Sequence, residues 1–189
     1  MWTDRVNRRT LYLVACAAPP ARHVSVGIRA AQAAGWDVCL ILTPAAYRWA
    51  VEDAEGEIEE LRELTGHPVR HSYKLPSEAD VLPAADAFLV APATFNTLNK
   101  WAQGAADTLA LGLITEAIGL GKPIVALPSF NTAQARHPVF ERSIATLREA
   151  GVNVVLGEGK YVPRPPGQGR PREFPWQLAL DALPTGKQP

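Results

Sequence analysis

Asp86-Ala-Phe-Leu-Val-Ala91 runs into Pro92-Ala-Thr-Phe-Asn-Thr97, and Lys122-Pro-Ile-Val-Ala-Leu127 runs into Pro128-Ser-Phe-Asn131. Each apolar run has the length of a buried strand, and each ends in a polar turn holding an asparagine. A helix carrying Gly104 and Asp107 lies between them. In an open parallel sheet the carboxyl ends of the strands form the ligand crevice. Two such turns close together make one binding site, and function is to be sought there.

Working outward, Leu11-Tyr-Leu-Val-Ala-Cys-Ala17 reads as a buried strand, and Val24 to Ala34 has helical apolar spacing closed by Gly35. Asp37-Val-Cys-Leu-Ile-Leu42 gives the second strand, and Thr43-Pro44 opens a helix, since proline suits a first helical turn. The acidic stretch Glu52 to Glu63 reads as a solvated helix stopped by Gly66, with His67 to His71 a short third strand. Helices are expected around Leu98 to Ala102 and Thr108 to Leu120, then over Pro138 to Ala150, with Gly151 to Leu156 as the last strand. This alternation predicts an α/β fold: a doubly wound, mostly parallel sheet with helices on both faces. The chain divides into an extension (1–10), one domain (11–156) and an irregular Pro- and Arg-rich C-terminal arm (157–189), since 189 residues suit one well-buried domain. Within the arm, Trp176 to Leu183 reads as a short closing helix. The rest reads either as a surface arm packed on the domain or a neighbouring subunit, or as a flap over the crevice.

Nineteen basic and nineteen acidic residues cancel, and no cationic stripe is present to neutralise a phosphodiester backbone, which argues against nucleic acid. The first ten residues are polar and the apolar runs are of strand length, so a soluble cytoplasmic protein without a membrane span is expected. Cys16 and Cys39, the only cysteines, sit in apolar runs and read as buried free thiols rather than metal ligands.

A phosphate-bearing cofactor in such a sheet needs backbone N–H groups and hydroxyls at the first two strand ends, because helix N-termini concentrate unpaired donors. Ala17-Ala18 and Thr43 occupy those places, although Pro19-Pro20 removes two donors and neither G-x-G-x-x-G nor a P-loop is present. That absence counts against NAD and ATP. Thr94-Phe95-Asn96-Thr97 offers hydroxyls, an amide and helix-opening N–H groups to the polar edge of a flat heterocycle, or simply caps a helix. Asp107 reads as a helix cap. Asn131 reads either as an orienting group for a substrate carboxylate or as an Asx turn.

Ala91 to Thr97, with Lys100, Gly104 and Asp107-Thr-Leu109, resembles the "PASANT" segment and following helix of the homo-oligomeric flavin-containing cysteine decarboxylases. Pro128-Ser129-Phe130-Asn131, with Pro138 and Glu141-Arg142 downstream, is similar to their second motif, P-x-M-N-x-x-M-W. The superfamily includes phosphopantothenoylcysteine decarboxylases, lantibiotic peptidyl-cysteine decarboxylases and, more distantly, flavin prenyltransferases. The resemblance implies a Rossmann-like domain binding FMN, assembled as a homo-oligomer, either a trimer or a dodecamer of trimers, and acting on a small-molecule or peptide substrate. By the same resemblance Ala17, Ala18 and Pro19 fall on the first phosphate loop, and Thr43 with Ala45 on the second. Thr94, Phe95, Asn96 and Thr97 fall on the flavin-edge turn, Ser129 and Phe130 on the loop over the ring, and Asn131 on the asparagine that binds substrate carboxylate. Exposed-looking Trp49, Trp101 and Trp176 add weak support for oligomerisation.

The chain departs from the family where chemistry is concerned. Fourteen residues before Pro92, where the decarboxylases carry a catalytic histidine, stands Glu78, with His71 and His137 as further candidates for proton transfer. Phe130 replaces the second motif's first methionine, Gln134-Ala135 its Met-Trp pair, and no cysteine follows Cys39 to serve as the clamp thiol of the phosphopantothenoylcysteine enzymes. The expectation is an FMN-binding flavoprotein, read as an oxidative decarboxylase of a cysteinyl or related carboxylate with Glu78 and Asn131 in the site. The alternative is a non-catalytic flavin-binding or regulatory protein of the same fold, and a flavin prenyltransferase comes third. Arg164, Arg170 and Arg172 in the arm hint at an anionic substrate.

Overall fold

The computed structural model describes residues 8–53 and 56–185. Five parallel strands form one sheet: β1 (Thr10–Ala15), β2 (Asp37–Leu42), β3 (Ala87–Ala93), β4 (Ile124–Pro128) and β5 (Asn153–Val154), in the order β2-β1-β3-β4-β5. The helices are α1 (Val24–Ala33), α2 (Pro44–Glu52), α3 (Glu57–Thr65), α4 (Phe95–Ala102), α5 (Leu109–Gly119), α6 (Thr132–Ala135), α7 (Phe140–Glu149) and α8 (Trp176–Asp181). β1, β3 and β4 are buried along their whole length, as expected of parallel strands covered on both faces.

Side-chain alternation along the strands divides the core in two. Leu11, Leu13, Leu40, Leu89 and Leu127 face α1, α2, α3 and α8, where Val24, Ile28, Leu61 and Trp176 meet them. Tyr12, Val14, Ile41, Val90 and Ala126 face α4, α5 and α7, packing on Leu98, Trp101, Ile114 and Leu147. Each fully buried leucine or isoleucine contributes roughly 2 kcal/mol, so these two layers hold the sheet in place. Trp101 and Trp176, read from sequence as exposed, are core residues with 2% and 5% of their surface accessible. Both lie on the inner faces of short helices, and an aromatic ring there fills the space between helix and sheet.

Other expectations shift for identifiable reasons. The third strand expected over His67 to His71 reduces to Arg70, whose N–H donates to Leu40 and whose carbonyl accepts from Leu42. Pro68 has no N–H to extend that pairing along the edge of β2. The acidic helix from Glu52 to Glu63 is instead the end of α2 and the start of α3, and residues 54 and 55 lie outside the described residues. Gly66 does stop α3, in the left-handed conformation at φ 71°. Pro92 is tolerated in the central strand β3 because the register with β4 shifts between Val90 and Ala93. There its carbonyl accepts instead from the Cys16 N–H at 3.0 Å. α8 is the closing helix expected within the arm, and Trp176, Ala179 and Leu180 tie it into the core. Among the described residues no helix is long and apolar enough to cross a membrane.

Candidate functional site

β1 and β3 lie side by side, and the chain leaves them toward opposite sides of the sheet, β1 to β2 and β3 to β4. Such a reversal opens a crevice at the carboxyl ends of the two strands. A cavity of about 1230 Å³ sits there, lined by the segments after β1, β2, β3 and β4 and roofed by the C-terminal arm. Drug-sized ligands occupy sites of roughly 300–1,000 Å³, so the space admits a cofactor together with a substrate.

The crevice floor is made of helix starts. Thr43 caps α2 by accepting from the Ala46 N–H, and Thr94 caps α4 by accepting from the Thr97 N–H at 3.3 Å. Thr94 also donates its hydroxyl proton to the Thr97 oxygen at 3.0 Å, which fixes both side chains. The caps satisfy one donor each, while the N–H groups of Ala45, Phe95 and Asn96 have no intrahelical acceptor and border the cavity. This donor set fits a phosphate and the polar edge of a flat ring. The Pro19–His23 turn after β1 adds shape rather than donors, because Pro19 and Pro20 lack N–H groups. Behind the floor, burial pushes the Cys16 thiol up, only partly offset by hydrogen bonds with Thr97 and Thr94. Cys16 and Cys39 are both buried and free.

Asn131 is held in a defined orientation. Its Oδ1 accepts from the N–H groups of Ala133 and Gln134, both at 3.0 Å, while Gln134 Oε1 accepts from the Asn131 N–H. The oxygen is thus consumed by the cap of α6. The amide Nδ2 makes no hydrogen bond with any described residue, and Asn131 lines the cavity. An Asn fixed this way favours an anion over a donor ligand. Both readings of this residue, Asx cap and carboxylate-facing amide, are therefore compatible.

All eleven residues expected at the cofactor line this one cavity: Ala17, Ala18, Pro19, Thr43, Ala45, Thr94, Phe95, Asn96, Thr97, Ser129 and Phe130, together with Asn131. Glu78 does not. Its carboxylate accepts from the Leu75 N–H at 2.8 Å, closing an exposed turn. His71 stacks on Tyr47 with ring centroids 3.5 Å apart, and His137 stands edge-on to Phe95 and accepts from the Val139 N–H. Neither histidine lines the cavity. Asp107 pairs with Lys100 on the cavity rim, and that ammonium holds its carboxyl below the usual range.

The arm supplies wall residues with little local signature in the sequence, among them Lys160, Tyr161, Glu173, Phe174 and Leu178. Tyr161 donates its phenol proton to the Phe130 carbonyl at 3.1 Å, and the Thr132 N–H donates to the Arg164 carbonyl at 3.0 Å. Phe95, Phe140, Phe130, Tyr161, Phe174 and Trp176 then form an unbroken chain of ring contacts, with centroid separations from 4.6 to 6.4 Å. Hydrogen bonds and ring contacts therefore hold the arm against the crevice. Aromatic residues inside an otherwise Pro/Gly/Arg-rich tract were the available signal. Among the described residues no group of His, Cys, Asp and Glu gathers to hold a metal ion.

Strand order, two helical layers and a donor-rich crevice at the reversal define a flavodoxin-like α/β protein. The chain belongs to the family described as Flavoprotein, which matches residues 26–173. It is 32% identical over 98 residues to a cysteine/cysteine sulfinic acid decarboxylase from an unknown prokaryotic organism, covering 51% of this chain and 26% of the relative. It is 42% identical over 67 residues to the phosphopantothenoylcysteine decarboxylase of Mus musculus, covering 35% of this chain and 32% of the relative. The matched stretches thus span about a third or less of those relatives. The fold is similar to that of a solved FMN-dependent cysteine decarboxylase from thioviridamide biosynthesis, with TM-score 0.68, 22% identity, and coverage of 93% of this chain and 98% of that one.

Proposed function

We propose that this chain binds FMN in the crevice and oxidatively decarboxylates a small or peptidyl substrate ending in a cysteinyl or related carboxylate. The observation that supports it most is that the strand-end loops and the Asn131 amide, separated by up to 114 positions from Ala17 to Asn131, surround one cavity with space for cofactor and substrate. The unpaired N–H groups of Ala45, Phe95 and Asn96 and the Ser129 hydroxyl would hold the phosphate and ring edge, with Phe130 beside the ring. FMN, when bound, would supply the two-electron oxidation of the cysteinyl side chain that makes loss of carbon dioxide possible. Asn131 Nδ2 would orient the carboxylate, and the arm would exclude water from it. The protein is read as a cytoplasmic homo-oligomer, and residues 11–156 with the arm as one functional unit.

The second reading, a flavin-binding protein without catalysis, draws on one observation. Among the described residues no histidine and no cysteine lines the cavity, and the one carboxylate that does, Glu173, is paired with two arginines. The two readings separate in one experiment. Purified protein should carry, or take up, a chromophore with a flavin spectrum that heat releases as FMN, and anaerobic cysteine-terminated peptides should bleach it with release of carbon dioxide. Flavin that stays oxidised with every such peptide would select the binding role, and a protein that takes up no flavin would refute both.

A further inference from the structure

Among the described residues four cations line the cavity, Lys100, Lys160, Arg164 and Arg170, against a single acid, Glu173. Lys100 has its own partner in Asp107, which lies outside the lining. The remaining three belong to the arm, so the roof of the cavity is cationic. Arg164 is placed with particular care: it forms a parallel bridge with Asn131, and its carbonyl accepts from the Thr132 N–H. Neighbouring strands lie about 4.8 Å apart and project paired side chains to the same side, so Arg164 stands next to the carboxylate-facing amide. Glu173 lies 3.6 Å from the Arg164 guanidinium and 3.3 Å from that of Arg170.

We propose that Arg164 and Arg170 form an anion subsite beside Asn131, selecting substrates that carry a second acidic group, carboxylate or phosphate, close to the cysteinyl carboxylate, and that Glu173 fills this subsite until such a substrate arrives. The proposal rests on the reading of the cavity as a cofactor-and-substrate site. Guanidinium forks match carboxylate and phosphate geometry, whereas lysines act there only as point charges. The contacts to Glu173 are long, and the three side chains keep 48%, 62% and 56% of their surface exposed. Exposed ion pairs of that kind contribute little to stability, so a ligand that brings its own burial displaces Glu173 readily. Glu173 meanwhile keeps two like charges together on the arm without a ligand. Arg172, next in sequence, carries the same charge but does not line the cavity, which corrects the sequence-based grouping of the three arginines.

Calorimetric titration of the full chain, with and without saturating FMN, tests this with four tripeptides: Gly-Glu-Cys against Gly-Gln-Cys, and Gly-phosphoserine-Cys against Gly-Ser-Cys. Each acidic peptide should bind at least about tenfold more tightly than its neutral counterpart, and comparison of the two acidic peptides identifies the preferred anion. In the double variant Arg164→Gln/Arg170→Gln the preference should fall to about twofold or less, while Arg172→Gln retains it. Glu173→Gln should tighten the acidic peptides several-fold and leave the neutral ones unchanged. Equal binding of acidic and neutral peptides, failure of all four to bind, or equal loss of preference in Arg172→Gln would overturn the subsite. Absence of FMN uptake would overturn the cofactor reading instead, and the titrations without FMN still decide the subsite.

Discussion

At the scale of single residues, Asn131 separates structure from recognition more cleanly than any other position. Its Oδ1 caps α6 and the residue lines the cavity, so the cap and the proposed carboxylate contact can be tested separately. Asn131→Asp keeps an oxygen for the Ala133 and Gln134 N–H groups and replaces the amide donor with a negative charge. Aspartate is as good an N-cap as asparagine, so stability by urea unfolding should change by less than about 0.5 kcal/mol. Flavin uptake should persist, while affinity for a cysteinyl carboxylate falls at least about tenfold through charge repulsion. Unchanged affinity in this variant would mean the carboxylate is read elsewhere. The buried thiols and phenol make a second, chemically distinct prediction. Burial pushes Cys39 and Tyr12 up to about 12, from 9.0 and 10.0, and pushes Cys16 up from 9.0. Above pH 9 the unfolded chain releases protons that the folded chain keeps, so stability is full below about 9 and declines as pH rises. Urea midpoints measured between pH 8 and 11 should fall, each protected group giving at most about 1.4 kcal/mol per pH unit. A flat profile would show that these groups ionise freely in the fold. Residue-scale legibility was uneven for a physical reason. Thr94 and Asn131 announce themselves because caps and strand ends have local signatures, whereas Glu78 was placed by counting along a sequence. Counting cannot see that the turn at Leu75 uses up its carboxylate.

At the scale of elements, α8 shows where local reading runs out. Its existence is legible, but its docking on α1 depends on Gly27, a helix-interior glycine with no conformational need for its freedom. A Cβ at Gly27 would stand 2.4 Å from the nearest atom of the Trp176 ring and under 3 Å from two more. That ring is buried and rigid, so Gly27→Ala sets two effects against each other. Helix propensity gains up to about 1 kcal/mol, and overpacking a core costs about 1–3 kcal/mol. The second should win, with net destabilisation of about 1–2 kcal/mol and a shift in tryptophan fluorescence as Trp176 moves. In a Trp176→Leu background the same substitution should be close to neutral, and an equal loss in both backgrounds would refute the contact as the cause. Strands β1 to β4 were legible because parallel strands buried on both faces need unbroken apolar runs, and their ends are marked by Thr43, Thr94 and Asn131. The edge segment at Arg70 was not, because a single residue pairs there and apolar content alone cannot tell a bridge from a strand. Trp101 and Trp176 misled for a related reason: on short helices, exposure depends on which face meets the sheet.

At the scale of the whole molecule, the arm beside the cavity is held by two tethers. One tether is the ring chain through Phe174 and Trp176 into the core, and the other is the pair of backbone contacts at Phe130 and Thr132 beside the cavity. Between them, residues 162–173 are mostly exposed and rich in proline and glycine, with few hydrogen bonds of their own. Segments with so few contacts open at lower free energy than the core. A ligand that touches the arm from inside the cavity must make that opening rarer, because it binds the closed state preferentially. Limited trypsin digestion reads this directly. Proline follows Arg164 and Arg170 and blocks cleavage there, which leaves Lys160 and Arg172 as the two sites within residues 157–185. With FMN and an acidic cysteine-terminated peptide together at about 100 times their dissociation constants, cleavage at both sites should slow by about tenfold or more. FMN alone should slow it less, since the crevice floor can hold the cofactor's phosphate without the arm. Equal cleavage with and without ligands would show that the arm does not close over what the cavity binds, and would return it to a passive surface strap.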